Sequence, residues 1–447
     1  MKPRRIFAML LALALLLYAA PGASGAWMSA ALAEAETGEE QVLVFKTYWY
    51  QSMFDDAMLA EAFNKTHPGK RIVVEEIPSD EALATELMSG SADYMLNLCA
   101  TNLDAGKCAA GGVFVDLYDW MDADPDFHRE DYYENLFEAM EYQGHLYGIA
   151  GTFSFPVVLL NRPIAEALGA NYEPLDAINI AEILDLYEAA KAQGLMAEDV
   201  PPVFEDKMNQ FAILLDVDFS DYVDMDQKTS HFSDPDFIEL LERTKGIYTE
   251  RRLADGSSGG TYPDRSPFGE AILAQKTSSL LIYGDAGLRP LEGGTLAEPH
   301  EALMGPLIQE SVGGGSSARA FQLLMVPTSC SNPELAWEFI KFCIGPMDEE
   351  IERKTGYVHK MTGEFPISKA NLAELAKYNQ TFGKADFDAC LAKLEERIGE
   401  THEFFIYKLH GRGVVYPILE QYFDYGTITA EECAKQMDER LYLYLNE

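Results

Sequence analysis

The sequence is short of positive charge. Its 34 lysines and arginines face 73 acids, for a formal net charge of −39 over 447 residues. Such a surface repels polyanions, so nucleic acid and anionic membrane are poor partners. The acids are scattered, which fits a solubility device better than a pocket for a cation.

Metal-ligating and redox patterns are also missing. The eight histidines are dispersed and form no HExxH pair, and the six cysteines (Cys99, Cys108, Cys330, Cys343, Cys390, Cys433) form no CxxC. Zinc ribbons and dithiol redox motifs therefore have no support. The cysteine spacing is too loose for a disulfide-stapled mini-domain. An even count permits disulfides in an exported chain, and free buried thiols satisfy it equally.

Two partial motifs fail on context. Asp122-Ala123-Asp124-Pro125-Asp126 opens like a calcium loop, but Phe127 and Tyr133 stand where the sixth-position glycine and twelfth-position glutamate belong. A solvated turn is expected there. Gly256-Ser257-Ser258-Gly259-Gly260 satisfies G-x-S-x-G, yet it lies in a flexible loop without the strand and helix of a nucleophile elbow. No carboxylate pair stands out among the acids. The residues single out no catalytic centre, and no cofactor and no metal is expected.

No apolar run reaches the roughly 20 residues of a membrane-spanning helix. The run Ile6–Ala20 follows the bases Lys2, Arg4 and Arg5 and precedes small residues ending in Ala31-Leu32-Ala33. Residues 1–33 therefore read as an export signal, with Ser24-Gly25-Ala26 a second possible cleavage point. Arg4-Arg5 partly resembles a twin-arginine signal, but the leucine-rich core favours the general secretory route. The first cysteine is Cys99, so no lipid-bearing cysteine is expected at a new N-terminus. The protein is expected outside the cell or at its surface.

What is present is an α/β pattern long enough for two domains of roughly 150–200 residues. Strands are expected at Val42–Phe45, Arg71–Ile77 and Asp93–Leu98, with helices at Phe54–Asn64 and Glu81–Met88 between them. This β-α-β-α-β order is the signature of a parallel sheet with helices on its faces. Further strands are expected at Val157–Leu160, Thr277–Tyr283, Leu303–Ile308 and Phe321–Val326. Helices are expected through most of 163–253, over Leu335–Ile344 and in the tail from about 367. No internal repeat or low-complexity segment interrupts the chain.

In open α/β sheets ligands sit beyond the carboxyl ends of the strands. Two loops qualify from sequence alone. One carries Tyr48, Trp49 and Tyr50 after the first strand. Aromatic faces suit the flat C–H faces of sugar rings. The competing expectation is that some of these rings pack under the next helix. The other loop follows the third strand, with Asn97, Thr101 and Asn102, which equally suit turns and helix caps. Phe153 and Phe155 lie near an expected interdomain crossing, where core packing competes with ligand contact.

Several segments resemble the family 1 extracellular solute-binding proteins, the group that includes maltodextrin-binding proteins. Phe63-Asn64-Lys65-Thr66-His67-Pro68 is similar to the family's F-N-K-x-x-P, and Leu87-Met88-Ser89-Gly90-Ser91-Ala92-Asp93 to L-x-S-G-x-x-P-D with alanine for proline. Gly111–Leu117 resembles A-x-x-G-x-L-x-D-L. Gly144-His145-Leu146-Tyr147-Gly148-Ile149 resembles D-G-K-x-Y-G-I-P, with Gln143 and Ala150 as departures. Leu160-Asn161-Arg162 resembles Y-N-K, and Gly363–Ile367 fits a late G-x-x-P. Asn332–Phe342 is close to N-P-E-x-A-W-E-F-L-K-F, the most specific of the seven.

The resemblance implies a two-lobed periplasmic-binding-protein-like fold, each lobe a mostly parallel sheet flanked by helices, joined by a hinge. It places lobe I at 36–150 and 310–350, and lobe II at 151–309 and 351–447. It implies the capture subunit of an ABC importer, a monomer that takes a small solute, preferably an oligosaccharide, in the cleft and passes it to membrane permease subunits. Tyr283 and Asp285 fall where the family often has a tryptophan in the second lobe. Related lipoproteins carry a lipobox that this chain lacks. Other expectations are a binder of polyamine or peptide, a secreted glycoside hydrolase with two facing carboxylates, and an anchored sensor on the same fold.

Overall fold

The computed structural model describes residues 40–48, 53–98, 103–195, 215, 217–225, 227–247, 281–286, 303–320, 322–346, 365–378, 387–405 and 412–446. The expected export segment, Trp49, Tyr50, Thr101, Asn102 and the G-x-S-x-G sequence lie outside these residues.

The first half follows the expected alternation. Strand β1 (Gln41–Thr47) leads to helix α1 (Met53–Thr66), β2 (Lys70–Glu76), α2 (Asp80–Ser89) and β3 (Met95–Leu98). Local chemistry sets the boundaries. Ser79 caps α2 by accepting from the Ala82 N–H, and Gly90 ends it at φ +68°, a conformation that suits glycine. Asn64 holds the end of α1 against β2: its side chain donates to the Ile72 carbonyl at 2.9 Å and accepts from the Ile72 N–H at 2.7 Å. Helices α3 (Ala105–Ala110), α4 (Leu117–Ala123) and α5 (Glu134–Ala139) follow.

The chain then crosses through β4 (Thr152–Phe153) and β5 (Phe155–Asn161) into α6 (Arg162–Ala167), β6 (Ala177–Ile178) and α7 (Ile180–Ala192). Asn179 and Glu182 form a reciprocal capping box at the start of α7. A helical stretch at 217–222 leads to the hairpin β7 (Val223–Asp224) and β8 (Thr229–Ser230), then α8 (Pro235–Ile247) and β9 (Leu281–Ala286). Strand β10 (Leu303–Gln309) returns through a glycine-rich turn to β11 (Ser316–Arg319), β12 (Leu323–Met325) and α9 (Pro333–Ile344). The rest is β13 (Phe365–Pro366), α10 (Lys369–Tyr378), α11 (Phe387–Gly399), β14 (Thr401–Phe405), α12 (Arg412–Phe423) and α13 (Ala430–Asn446).

Two four-stranded sheets organise the described residues. The first runs β12-β3-β1-β2, with β1 parallel to β2 and β3, and β12 antiparallel to β3. The second runs β6-β10-β5-β9, with β5 antiparallel to both neighbours and β10 parallel to β6.

The tail departs from the helical expectation at β14. Its Thr-His-Glu-Phe-Phe sequence suits a strand, and β11 offers a parallel edge for it. The short β6, β7 and β8 likewise interrupt the stretch expected to be mostly helical. They are only two residues long each, too short for periodicity to register.

Two hydrophobic cores result. The first gathers Phe45, Phe63, Leu96, Phe137 and Phe339 around the first sheet. The second gathers Val158, Leu160, Leu307, Phe237, Leu419 and Met437 around one side of the second sheet. Phe155, Val157 and Ile308 instead join the first core, as do Leu394 and Ile398 of α11. That core is therefore continuous through the crossing, where Phe153 pairs with Phe365 and Ser154 bridges to Arg319.

Candidate functional site

The strand order locates a site before any side chain is considered. From β1 the chain goes to β2 on one side, and β3 then lies on the other side of β1. The carboxyl ends of β1 and β3 are thus adjacent and their onward connections diverge. Phe45 stands beside Met95 and Lys46 beside Leu96. A crevice at such a switch point is where open α/β sheets place ligands. The described chain borders it at Tyr48 and Leu98 and, before α3, at Leu103 and Asp104.

Tyr48 is half-buried at this edge. Its ring packs against the first core and its hydroxyl donates to Asp80 Oδ1 at 2.7 Å. Behind it, Lys46 pairs with Glu86 at 2.7 Å and lies 4.2 Å from the centre of the Tyr94 ring. Burial works against the Glu86 carboxylate, but the hydrogen bond and charge of Lys46 outweigh it and hold the acid below its ordinary value. This cation is committed to the scaffold.

Asn97 is 1% exposed. Its amide donates to both carboxylate oxygens of the buried Asp56, each at 3.2 Å. Asn97 therefore ties β3 to the first turns of α1 and presents no surface to a ligand in this arrangement. Asp104 begins α3 by accepting from the Lys107 N–H at 3.0 Å.

Phe153 and Phe155 are fully buried. Their rings meet edge to face at 5.4 Å and both pack against Phe365. They belong to the core at the crossing. Tyr283 and Asp285 lie in β9, where the register sets them opposite Val158 and Pro156. The structure thus brings Tyr48 and the boundaries of both expected loops to one edge. It puts Asn97 and the two phenylalanines behind that edge.

The family-like segments turn out to be scaffold. His67 stacks on Phe63 at 3.9 Å. Trp337 Nε1 and Lys341 Nζ both donate to Asp124, at 2.8 and 2.5 Å, so the calcium-loop-like segment anchors α9. The Lys341 ammonium hydrogen bond above all, with that of the indole, holds that acid below its ordinary value. Asp116 accepts from the Leu146 N–H at 3.2 Å, and His145 Nδ1 lies 2.8 Å from its other oxygen. At Gly148 a β-carbon would stand 2.6 Å from Leu323 Cγ, so β12 requires glycine there.

Asp56, Asp80 and Asp104 carry no motif. Their partners are 32 to 340 positions away: 41 for Asn97 and Asp56, 32 for Tyr48 and Asp80, 340 for Asp104 and Tyr444. A single sequence gives no signal for such pairs. A cavity of about 730 Å³ lies between α12 and α13, lined by Pro417, Ile418, Gln436, Glu439 and Leu443. It contains none of the expected site residues, so the strand ends are the better candidate. Among the described residues no three acids, histidines or cysteines are placed to hold a metal, and no helix is long and apolar enough to cross a membrane. Cys108, Cys330, Cys343 and Cys433 are free thiols.

The same architecture recurs in solved structures. An ABC substrate-binding protein of Listeria monocytogenes, solved with cycloalternan, is 16% identical with a TM-score of 0.58, over 91% of this chain and 99% of that one. The sugar-binding protein MalE of Xanthomonas citri is 15% identical with a TM-score of 0.60, over 91% and 98%. A cyclic α-maltosyl-1,6-maltose-binding protein of Arthrobacter globiformis is 14% identical with a TM-score of 0.54, over 91% and 99%. These likenesses establish the two-lobed fold. No protein of curated function matches in sequence. The family model of the bacterial extracellular solute-binding proteins matches residues 46–350, well over half of the chain. The chain belongs to the bacterial extracellular solute-binding protein family.

Proposed function

We propose that the protein captures an oligosaccharide in the crevice at the ends of β1 and β3 and delivers it to the permease of an ABC importer. The observation that carries this reading is the switch point between those strands, with Tyr48 at its edge and Trp49, Tyr50, Thr101 and Asn102 next in sequence to the strand ends. Rings at that place suit the apolar faces of sugars, and amides and hydroxyls suit their hydroxyl groups. Trp49 is the proposed stacking platform. Tyr283 and Asp285 are proposed to face the solute from the second lobe. Similar folds with sugar ligands named in their structures, cycloalternan and mannotriose among them, support the ligand class.

In this reading the protein has no catalytic activity and acts as an exported monomer whose residues 1–33 direct secretion. The lobes, divided near 150, 310 and 350, close on the solute about the crossing segments, and the solute selects the closed state. A thermal-shift screen with maltotriose, mannotriose and cycloalternan, set against spermidine and a tripeptide mixture, tests the proposal. At a hundredfold excess over Kd a ligand stabilises by about 2.7 kcal/mol, readily seen as a rise in Tm. The proposal fails if only the polyamine or the peptides raise Tm, or if purified protein turns over an oligosaccharide.

A further inference from the structure

The end of α13 reaches across to the loop that follows β3. Tyr444 belongs to the second core and is 7% exposed. Its hydroxyl donates to Asp104 Oδ1 at 3.0 Å, across 340 positions of sequence. Asp104 heads α3, whose Ala105, Cys108 and Ala109 belong to the first core. Lys107, on the first exposed turn of α3, sets its ammonium 5.0 Å from the centre of the Tyr444 ring. Tyr142 of the first core also lies against this hydroxyl and carboxylate.

The contact is embedded in a hydrogen-bonded corner. Asn446 donates to the Lys228 carbonyl at 3.3 Å, and Asp438 accepts from Ser230, Phe232 and Ser233, all at 2.6 to 2.9 Å. These bonds fasten α13 to the β7–β8 hairpin. Met225, within that hairpin, packs against both cores. Burial, with the Asp104 carboxylate beside it, pushes the Tyr444 hydroxyl far above its ordinary value, so it stays a donor at any physiological pH.

We infer that the end of α13 is a latch between the lobes: Tyr444 grips Asp104 and Lys107 at the start of α3, and this grip holds the lobes in the arrangement of this structure. The latch rests on the reading of a cleft at the ends of β1 and β3, since Asp104 is two residues from Asn102. It gives α13 a direct hold on the residue that heads α3, beside the proposed crevice. A contact made in only one arrangement shifts the population by its differential free energy. Losing one charge-assisted hydrogen bond then lowers the population of the latched arrangement several-fold.

Tyr444→Phe removes the hydroxyl and keeps the ring. Tyr422→Phe is the matched control, because the Tyr422 hydroxyl bonds the Leu241 carbonyl inside the second core. Small-angle X-ray scattering of the ligand-free proteins reads closure without any solute. A compact chain of this length has a radius of gyration of roughly 22 Å. Tyr444→Phe is expected to raise the measured radius by about 1 Å relative to Tyr422→Phe, consistent with a hinge-opened population. An unchanged or smaller radius overturns the latch. Lys107→Gln, which removes the cation over the ring, gives the same test if Tyr444→Phe does not fold. A shift in radius without binding of any sugar keeps the latch and removes the proposed solute. Sugar binding without a shift removes the latch alone.

Discussion

Asn97 points its amide away from the crevice and into the carboxylate of Asp56, 3.2 Å from each oxygen. An amide at the end of a strand thus serves to orient α1. The consequence is a separation of stability from binding. Asn97→Ala strands a buried carboxylate without this donor and is expected to cost about 1–3 kcal/mol. Urea denaturation would show it as a lower midpoint with an unchanged slope. Affinity for solute, measured on the folded fraction, should stay within about twofold of the parent (0.4 kcal/mol, inside the scatter of distant sites). A large loss of affinity at unchanged stability contradicts this placement.

Gly148 tests the closeness of β12 to the segment beside it, where Ile149 bridges to Leu324. A β-carbon there meets Leu323 Cγ at 2.6 Å and Met325 Cγ at 2.8 Å. Gly148→Ala is expected to destabilise by about 1–3 kcal/mol through overpacking. Combining it with Leu323→Ala should recover part of the loss, which a double-mutant cycle in thermal unfolding would read as coupling between the two sites.

Asp218 predicts a pH dependence. The residue is 1% exposed and accepts the Val312 N–H at 2.8 Å, while Asp221 holds the Gly313 N–H in the same turn between β10 and β11. Burial pushes its carboxyl up to about 8, and the charge of Asp221 adds to this against the Val312 hydrogen bond. The folded protein therefore holds a proton that the unfolded chain releases near 3.8. Stability from this group is full below pH 3.8 and falls as pH rises toward about 8. Asp218→Asn keeps the acceptor and removes the titration. The gap in Tm between variant and parent should widen in the variant's favour from pH 4.5 to pH 8. A constant gap contradicts the assignment.

Much of the first lobe was legible in the sequence because its signals are local. The alternation from Val42 to Leu98, the Gly90 stop and the Asn332-Pro333 start are each written within a few residues. The family-like segments were equally legible, and the structure gives their physical content: Asn64 clamps α1 to β2, Trp337 anchors α9 on Asp124, and Gly148 admits Leu323. These residues build the frame and do not face the crevice. That is why they identify the family and are silent about the solute.

The site was legible only as a place. Strand order puts the candidate crevice at the ends of β1 and β3, but side-chain direction depends on partners far off in sequence. Asn97 turned inward because Asp56 is there, and Phe153 and Phe155 were drawn into the core by Phe365. Tyr48 is held at the edge by Asp80. No periodicity encodes these pairings, and none encodes the contact of Tyr444 with Asp104.

The account stands most directly on the aromatic wall proposed for the crevice. Isothermal titration of maltotriose and mannotriose into the parent protein and into Trp49→Ala measures it. Saturable binding to the parent by one of these sugars, weakened at least tenfold (about 1.4 kcal/mol) by Trp49→Ala with Tm unchanged, is the predicted result. Equal affinity in both proteins, or binding of spermidine or a peptide where neither sugar binds, would contradict it.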